Sequence, residues 1–120
     1  MSSVLIVDDS STMRKIITRS LRQAGFVLDE IFEAADGFAG LKALETATVD
    51  LILSDINMPN MDGLEFVQRV RLRGIKTPIV MITTEGGEDT IRDAMARGAT
   101  CSIRKPFTPD HLQEKLGSFL

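Results

Sequence analysis

Val4-Leu5-Ile6-Val7-Asp8-Asp9-Ser10 is an unbroken apolar run closed by two carboxylates and a residue of the helix-capping type. A strand covered on one face alternates apolar and polar residues. A strand buried on both faces is apolar throughout, which is the habit of parallel sheets. Leu51-Ile52-Leu53 and Ile79-Val80-Met81-Ile82 repeat the pattern, while Glu30-Ile31-Phe32-Glu33-Ala34 and Cys101-Ser102-Ile103 are weaker or shorter versions of it. Helical spacing fills the intervals. Met13, Ile16, Ile17, Leu21 and Ala24 line one face of a first helix that Gly25 can end. Leu41 and Leu44 suggest a short second helix after Asp36-Gly37. Asp62 and Glu65 resemble a capping box for a third, carrying Phe66, Val67 and Val70 and ending at Gly74. Ile91, Ala94 and Met95 mark a fourth closed by Gly98. A fifth, with Leu112, Leu116, Phe119 and Leu120, is entered through Thr108-Pro109. Strict βα alternation with short loops predicts a doubly wound α/β fold. It has a five-stranded parallel sheet, right-handed crossovers and helices on both faces, giving three layers.

Length and composition narrow the classes further. The 120 residues suit a single domain spanning residues 1–120, and 43% hydrophobic with 26% charged residues is ordinary for a soluble globular chain. Fourteen basic residues against 17 acidic ones leave −3, which argues against nucleic acid or an anionic membrane as partner. One cysteine makes no internal disulfide and no zinc or dithiol site. Val4–Val7 is far too short for a leader or a membrane span, so a cytoplasmic monomer without membrane insertion is expected.

In parallel α/β sheets the ligand site lies beyond the carboxyl ends of the strands. Past those ends come Asp8-Asp9, Asp55, Thr83-Thr84 and Lys105-Pro106. Each has a plain alternative. Asp8-Asp9-Ser10 could simply cap a helix, Asp55 could belong to a turn-rich loop, and Thr83 and Lys105 could be ordinary solvent-edge residues. Their conjunction on one edge says more. Two carboxylates about 4 Å apart repel by ~4 kcal/mol at an effective dielectric near 20, so three must raise a pKa or hold a cation. An all-oxygen set without His or Cys points to a hard cation, and a short, partly hydrated cluster suits Mg²⁺ better than a Ca²⁺ cage. An EF-hand beginning at Asp55 fails, because Pro59, Asn60 and Phe66 fall at its fifth, sixth and twelfth positions. A dication beside a lysine, a threonine hydroxyl and a nucleophilic carboxylate is equipped for phosphoryl transfer. The chain has no P-loop and no nucleophile elbow. His111 reads as a solvent-exposed bystander, Cys101 as strand filler, and Gly86-Gly87 as a mobile loop.

Together these residues resemble the receiver domain of two-component response regulators, closest to its single-domain chemotaxis members. The resemblance runs from Val4 to about Leu120. It rests on Val7-Asp8-Asp9-Ser10, Asp36-Gly37, Asp55-Ile56-Asn57-Met58-Pro59, Met61-Asp62-Gly63, Ile82-Thr83, Gly98-Ala99 and Lys105-Pro106-Phe107. It implies a flavodoxin-like sheet of order 2-1-3-4-5 with five helices. It implies Asp55 as phosphoacceptor, fed by a sensor kinase's phosphohistidine, a phosphotransfer protein or a small phosphodonor. It implies Mg²⁺ held by Asp9 and Asp55 directly, by the Asn57 backbone carbonyl, and by Asp8 mainly through water. Lys105 would pair with one phosphoryl oxygen and Thr83 would reorient to bond another. A cis peptide would precede Pro106, and Asn57 and Glu85 would tune the lifetime of the aspartyl phosphate. Such a chain phosphorylates and dephosphorylates only itself, and it passes the signal to an unidentified downstream protein through a surface near strands 4–5 and helices 4–5.

One position departs from the family: Ser102 stands where most relatives carry an aromatic residue that turns inward on activation. The expected consequence is a switch centred on the Thr83–Glu88 loop and the start of the fourth helix. A shallow depression between the fourth and fifth helices should be left where the ring would lie. Rival readings fit less well. A flavin carrier would need a Ser/Thr-rich phosphate loop and a Trp or Tyr, of which the chain has none. An aspartyl-phosphate phosphatase would need a second acid after Asp55, where Asn57 stands, and a cap domain. A degenerate docking module would not keep the acidic cluster.

Overall fold

The computed structural model describes residues 2–84 and 87–120. The elements are β1 (Ser3–Val7), α1 (Ser11–Gln23), β2 (Glu30–Ala34), α2 (Gly37–Thr46), β3 (Leu51–Asp55), α3 (Gly63–Leu72), β4 (Ile79–Thr83), α4 (Glu88–Arg97), β5 (Cys101–Arg104) and α5 (Pro109–Leu116). All neighbouring strands are parallel, in the order β2-β1-β3-β4-β5. Expected strands and order are both found. Two ends differ in a way that matters: Asp55 and Thr83 are the last residues of β3 and β4, inside the ladder rather than beyond it.

The continuous apolar runs feed two cores, because successive side chains of a strand point to opposite faces. Val4, Ile6, Leu51, Leu53, Val80, Ile82 and Ile103 pack with Ile17 and Leu21 of α1 and Leu112 and Leu116 of α5. Leu5, Val7, Ile52, Ile79 and Met81 pack with Leu41 of α2, Phe66, Val67 and Val70 of α3 and Ala94 of α4. Phe66 and all these strand residues are essentially inaccessible. The result is the three-layer sandwich, with α1 and α5 below the sheet and α2, α3 and α4 above it.

Helix ends follow local chemistry. The Asp62 carboxylate accepts from the Glu65 amide at 2.9 Å, but the Glu65 side chain turns to Arg69 at 2.8 Å, so only half of the expected capping box forms. The fifth helix stops at Leu116 with Gly117 as its cap, leaving Phe119 and Leu120 packed on the lower core from outside the helix. Asn60, at φ 68°, takes the left-handed backbone that Asn tolerates, and its side chain donates to the Asp36 carboxylate at 3.0 Å.

Candidate functional site

β1 and β3 are neighbours, so their carboxyl ends set Asp8, Asp9 and Asp55 side by side. One carboxylate oxygen from each lies within 4.8 Å of the others. The helix-capping alternative for this stretch falls to Ser10, whose hydroxyl accepts from the Met13 amide at 3.1 Å. Asp8 is thereby released from capping α1. Its Oδ1 accepts from the Ser10 amide at 2.9 Å, while its Oδ2 is buried without a hydrogen-bond partner. Burial pushes the Asp8 carboxyl above its ordinary value, and the nearby Asp55 charge adds to this against the opposing Ser10 hydrogen bond and Lys105 charge. Asp9 is exposed at the rim.

Asp55 is half-buried, and its Oδ1 accepts from the Ile56 amide at 2.7 Å. Lys105 follows β5 and reaches back across the edge. Its ammonium lies 3.6 Å from Asp8 Oδ2 and 3.6 Å from Asp55 Oδ2, with its side chain only 12% exposed. The Lys105 amide donates to the Thr83 carbonyl at 2.8 Å, and the Lys105–Pro106 peptide is cis. Thr83 is buried one position past Ile82, the residue that pairs with Asp55. Asn57 is exposed in the loop after β3. Glu85 and the Gly86 end of the expected mobile loop lie outside the described residues.

Two further residues build the site. An added Cβ on Gly63 would stand 2.2 Å from the Asp55 carbonyl oxygen and 2.8 Å from Ile56 Cα, while the Gly63 amide donates to the Ile56 carbonyl at 2.7 Å. The start of α3 therefore presses on the backbone of the Asp55 segment, and only glycine fits. The Met61-Asp62-Gly63 stretch carried this signal. Arg14 was not singled out by the sequence. Its guanidinium donates to the Asp8 carbonyl and pairs with Glu33 at 2.9 Å, tying the turn after β1 to β2.

A depression of about 490 Å³ does lie beside Ser102, but its walls are Thr83, Glu88, Ile91, Arg92, Met95 and Arg104. It sits between α4 and the strands, with no lining from α5. His111 is half-buried, not exposed, in the first turn of α5, where its amide donates to the Thr108 hydroxyl at 3.1 Å. Cys101 is half-buried in β5, where burial raises its thiol pKa. No helix among the described residues is long and apolar enough to cross a membrane.

The chain matches the family described as response regulator receiver domain over residues 4–117. It is 43% identical over 116 residues to the chemotaxis protein CheY1 of Helicobacter pylori, covering 94% of this chain and 92% of that protein. Among solved structures it resembles the Vibrio cholerae chemotaxis protein CheY4, with 42% identity and a TM-score of 0.88, over 100% of this chain and 99% of the other. The response regulator TrrA of Thermotoga maritima, solved with Mg²⁺ and BeF, aligns over the whole of both chains at 29% identity and a TM-score of 0.85.

Proposed function

The chain belongs to the response regulator receiver domain family and is a phosphorylation-activated switch of two-component signalling, and on that premise we propose that Asp55 is its phosphoacceptor, with Lys105 and Thr83 as its partners. Family membership implies exchange with a histidine kinase or phosphotransfer protein. The observation that supports the assignment best is the position of Lys105, equidistant from Asp8 and Asp55 at 3.6 Å. It keeps a charge opposite the Asp55 carboxylate, which must be ionised to attack.

Asp55 Oδ1 is engaged by the Ile56 amide, so Oδ2, on the Lys105 side, is the better-placed nucleophile. Its lone pair forms the O–P bond as the P–N bond of a donor phosphohistidine breaks, and the departing imidazole takes a proton from solvent. The Lys105 ammonium offsets charge on a phosphoryl oxygen. Thr83, at the end of β4, donates its hydroxyl to another and carries the change to the start of α4.

The carboxylates fit a hard dication. Asp8 Oδ2 is a buried oxygen without a hydrogen-bond donor, and Asp9 and Asp55 each bring an oxygen to the same point. Asp8, Asp9, Asp55 and the Asn57 carbonyl would hold Mg²⁺, which when bound neutralises charge on the phosphoryl oxygens. The protein acts on no outside substrate and only gains and loses its own phosphoryl group. It works as a cytoplasmic monomer whose output, in keeping with its chemotaxis relatives, leaves by a docking surface near β4–β5 and helices α4–α5.

Intact mass spectrometry after incubation with Mg²⁺ and a small phosphodonor tests the assignment. One labile phosphoryl adduct is expected in the wild type and none in Asp55→Asn. An adduct that persists in Asp55→Asn, or forms equally in EDTA, would overturn it.

A further inference from the structure

Away from the phosphorylation edge, an open groove of about 600 Å³ runs between α1 and the edge strand β2. Its α1 wall carries Lys15, Arg19 and Arg22, and its β2 wall carries Ile31 and Glu33. The charge there runs against the rest of the molecule. α1 holds four of the 14 basic residues and no acidic one, leaving ten against all 17 acidic residues elsewhere. Lys15, Arg19 and Arg22 follow one another at i, i+4 and i+7, so each faces a like charge along the helix, an arrangement that weakens a helix. The helix dipole favours Arg22, in the last turn, but gives nothing to Lys15 and Arg19 in the middle of the helix.

Among the described residues Glu33 is the groove's one carboxylate, and Arg14 already holds it at 2.9 Å. None of Lys15, Arg19 or Arg22 forms an ion pair with a described carboxylate. The groove floor supplies the half-buried Ile31 and the aliphatic stems of the three cations.

We propose that this groove docks a short acidic segment of a partner protein, its carboxylates along the Lys15–Arg19–Arg22 stripe and an apolar side chain against Ile31. A short segment suits the site better than a long polyanion. α1 spans only about 20 Å, and exposed Asp29 and Glu30 flank it and would repel a nucleic acid strand or anionic bilayer extending past it, while Glu33 inside the groove is neutralised by Arg14. The surface is separate from Asp55, so it stands or falls apart from the phosphorylation reading.

The test uses a fluorescein-labelled hexapeptide of glutamates around one internal leucine, about 20 Å when extended, titrated with the intact protein and followed by anisotropy. Binding should weaken about tenfold in Lys15→Gln/Arg19→Gln/Arg22→Gln and in the matching triple Glu variant, and in wild type when the leucine becomes serine. It should hold in Lys42→Glu/Lys76→Glu/Lys115→Glu, which changes net charge equally at other sites. Circular dichroism confirms that each variant is folded, and peptide-induced amide shifts should cluster at residues 15–23 and 31–33. Equal loss in the control variant, shifts centred on residues 88–104, or equally tight binding of a single-stranded RNA 12-mer or phosphatidylserine vesicles through the same three cations would overturn the proposal.

Discussion

Aspartates serve opposite ends in two regions of this molecule. At the starts of α2 and α3, Asp36 and Asp62 give their carboxylates to backbone amides, accepting from Ala39 at 2.8 Å and Glu65 at 2.9 Å. At the ends of β1 and β3, Asp8, Asp9 and Asp55 converge on one another, and Asp8 keeps a buried oxygen with no hydrogen bond at all. The first pair stabilises the fold by meeting donors that the helix leaves open. The second set, offset only in part by Lys105, costs stability until a dication binds. Asp8 and Asp55 also give one oxygen to a backbone amide, so what marks the chemistry is the second oxygen, which faces the neighbouring carboxylates and Lys105 instead.

The largest expected effect breaks the comparison where the two regions touch. Gly63→Ala drives a Cβ into the Asp55 carbonyl, so it should cost several kcal/mol. It should also lower the melting temperature more than any cap substitution, and thermal unfolding followed by circular dichroism checks this. Next comes Asp62→Ala, which removes a helix cap and should cost about 1 kcal/mol. The converse substitution, Asp9→Ala, should raise metal-free stability by up to about 1 kcal/mol, discounted for the exposure of Asp9. Urea unfolding in EDTA compares the two signs directly, and a loss in Asp9→Ala would mean that the strand-end carboxylates are not crowded.

The smallest effect is one of pH. Burial raises the Asp8 pKa, so its contribution to metal-free stability is present below the ordinary carboxylate range and is lost as pH rises through the raised value. The Ala39 amide, foremost, and then the Asn60 side chain lower the Asp36 pKa, so its contribution is present above the ordinary range and is lost as pH falls through the lowered value. In EDTA, the stability of Asp8→Asn relative to wild type should therefore grow with rising pH. That of Asp36→Asn should approach wild type with falling pH. Parallel profiles for the two variants would erase the distinction between the regions.

Strands and helices were legible because burial on both sheet faces leaves continuous apolar runs, and because Asp62, Thr108 and Gly98 punctuate the helices in known ways. The sheet order was not legible from periodicity, which says nothing about which strands are neighbours; it came with the family resemblance. Asp8, Asp9, Asp55, Thr83 and Lys105 could be named because parallel topology sends every strand end to one edge. Which aspartate would be spent on a cap could not be read from Asp8-Asp9-Ser10, since all three residue types cap helices well. Only the Ser10 hydroxyl's contact with Met13 decides it. Arg14 stayed hidden because its role depends on Glu33, 19 residues away, and on a carbonyl that any residue would supply. The depression beside Ser102 followed from a missing ring, but its walls depend on how α4 sits, which no local pattern encodes.

The central claim is that Lys105 offsets the strand-end carboxylates only in part, which leaves them crowded until a dication binds. The most direct test is the melting temperature of wild type, Asp9→Ala and Asp62→Ala, each with EDTA and with saturating Mg²⁺. Ligand binding to the native state stabilises by mass action, so Mg²⁺ should raise the wild type and Asp62→Ala by the same amount and Asp9→Ala by much less. Equal Mg²⁺ shifts in all three proteins would contradict the account, because the metal would then sit elsewhere.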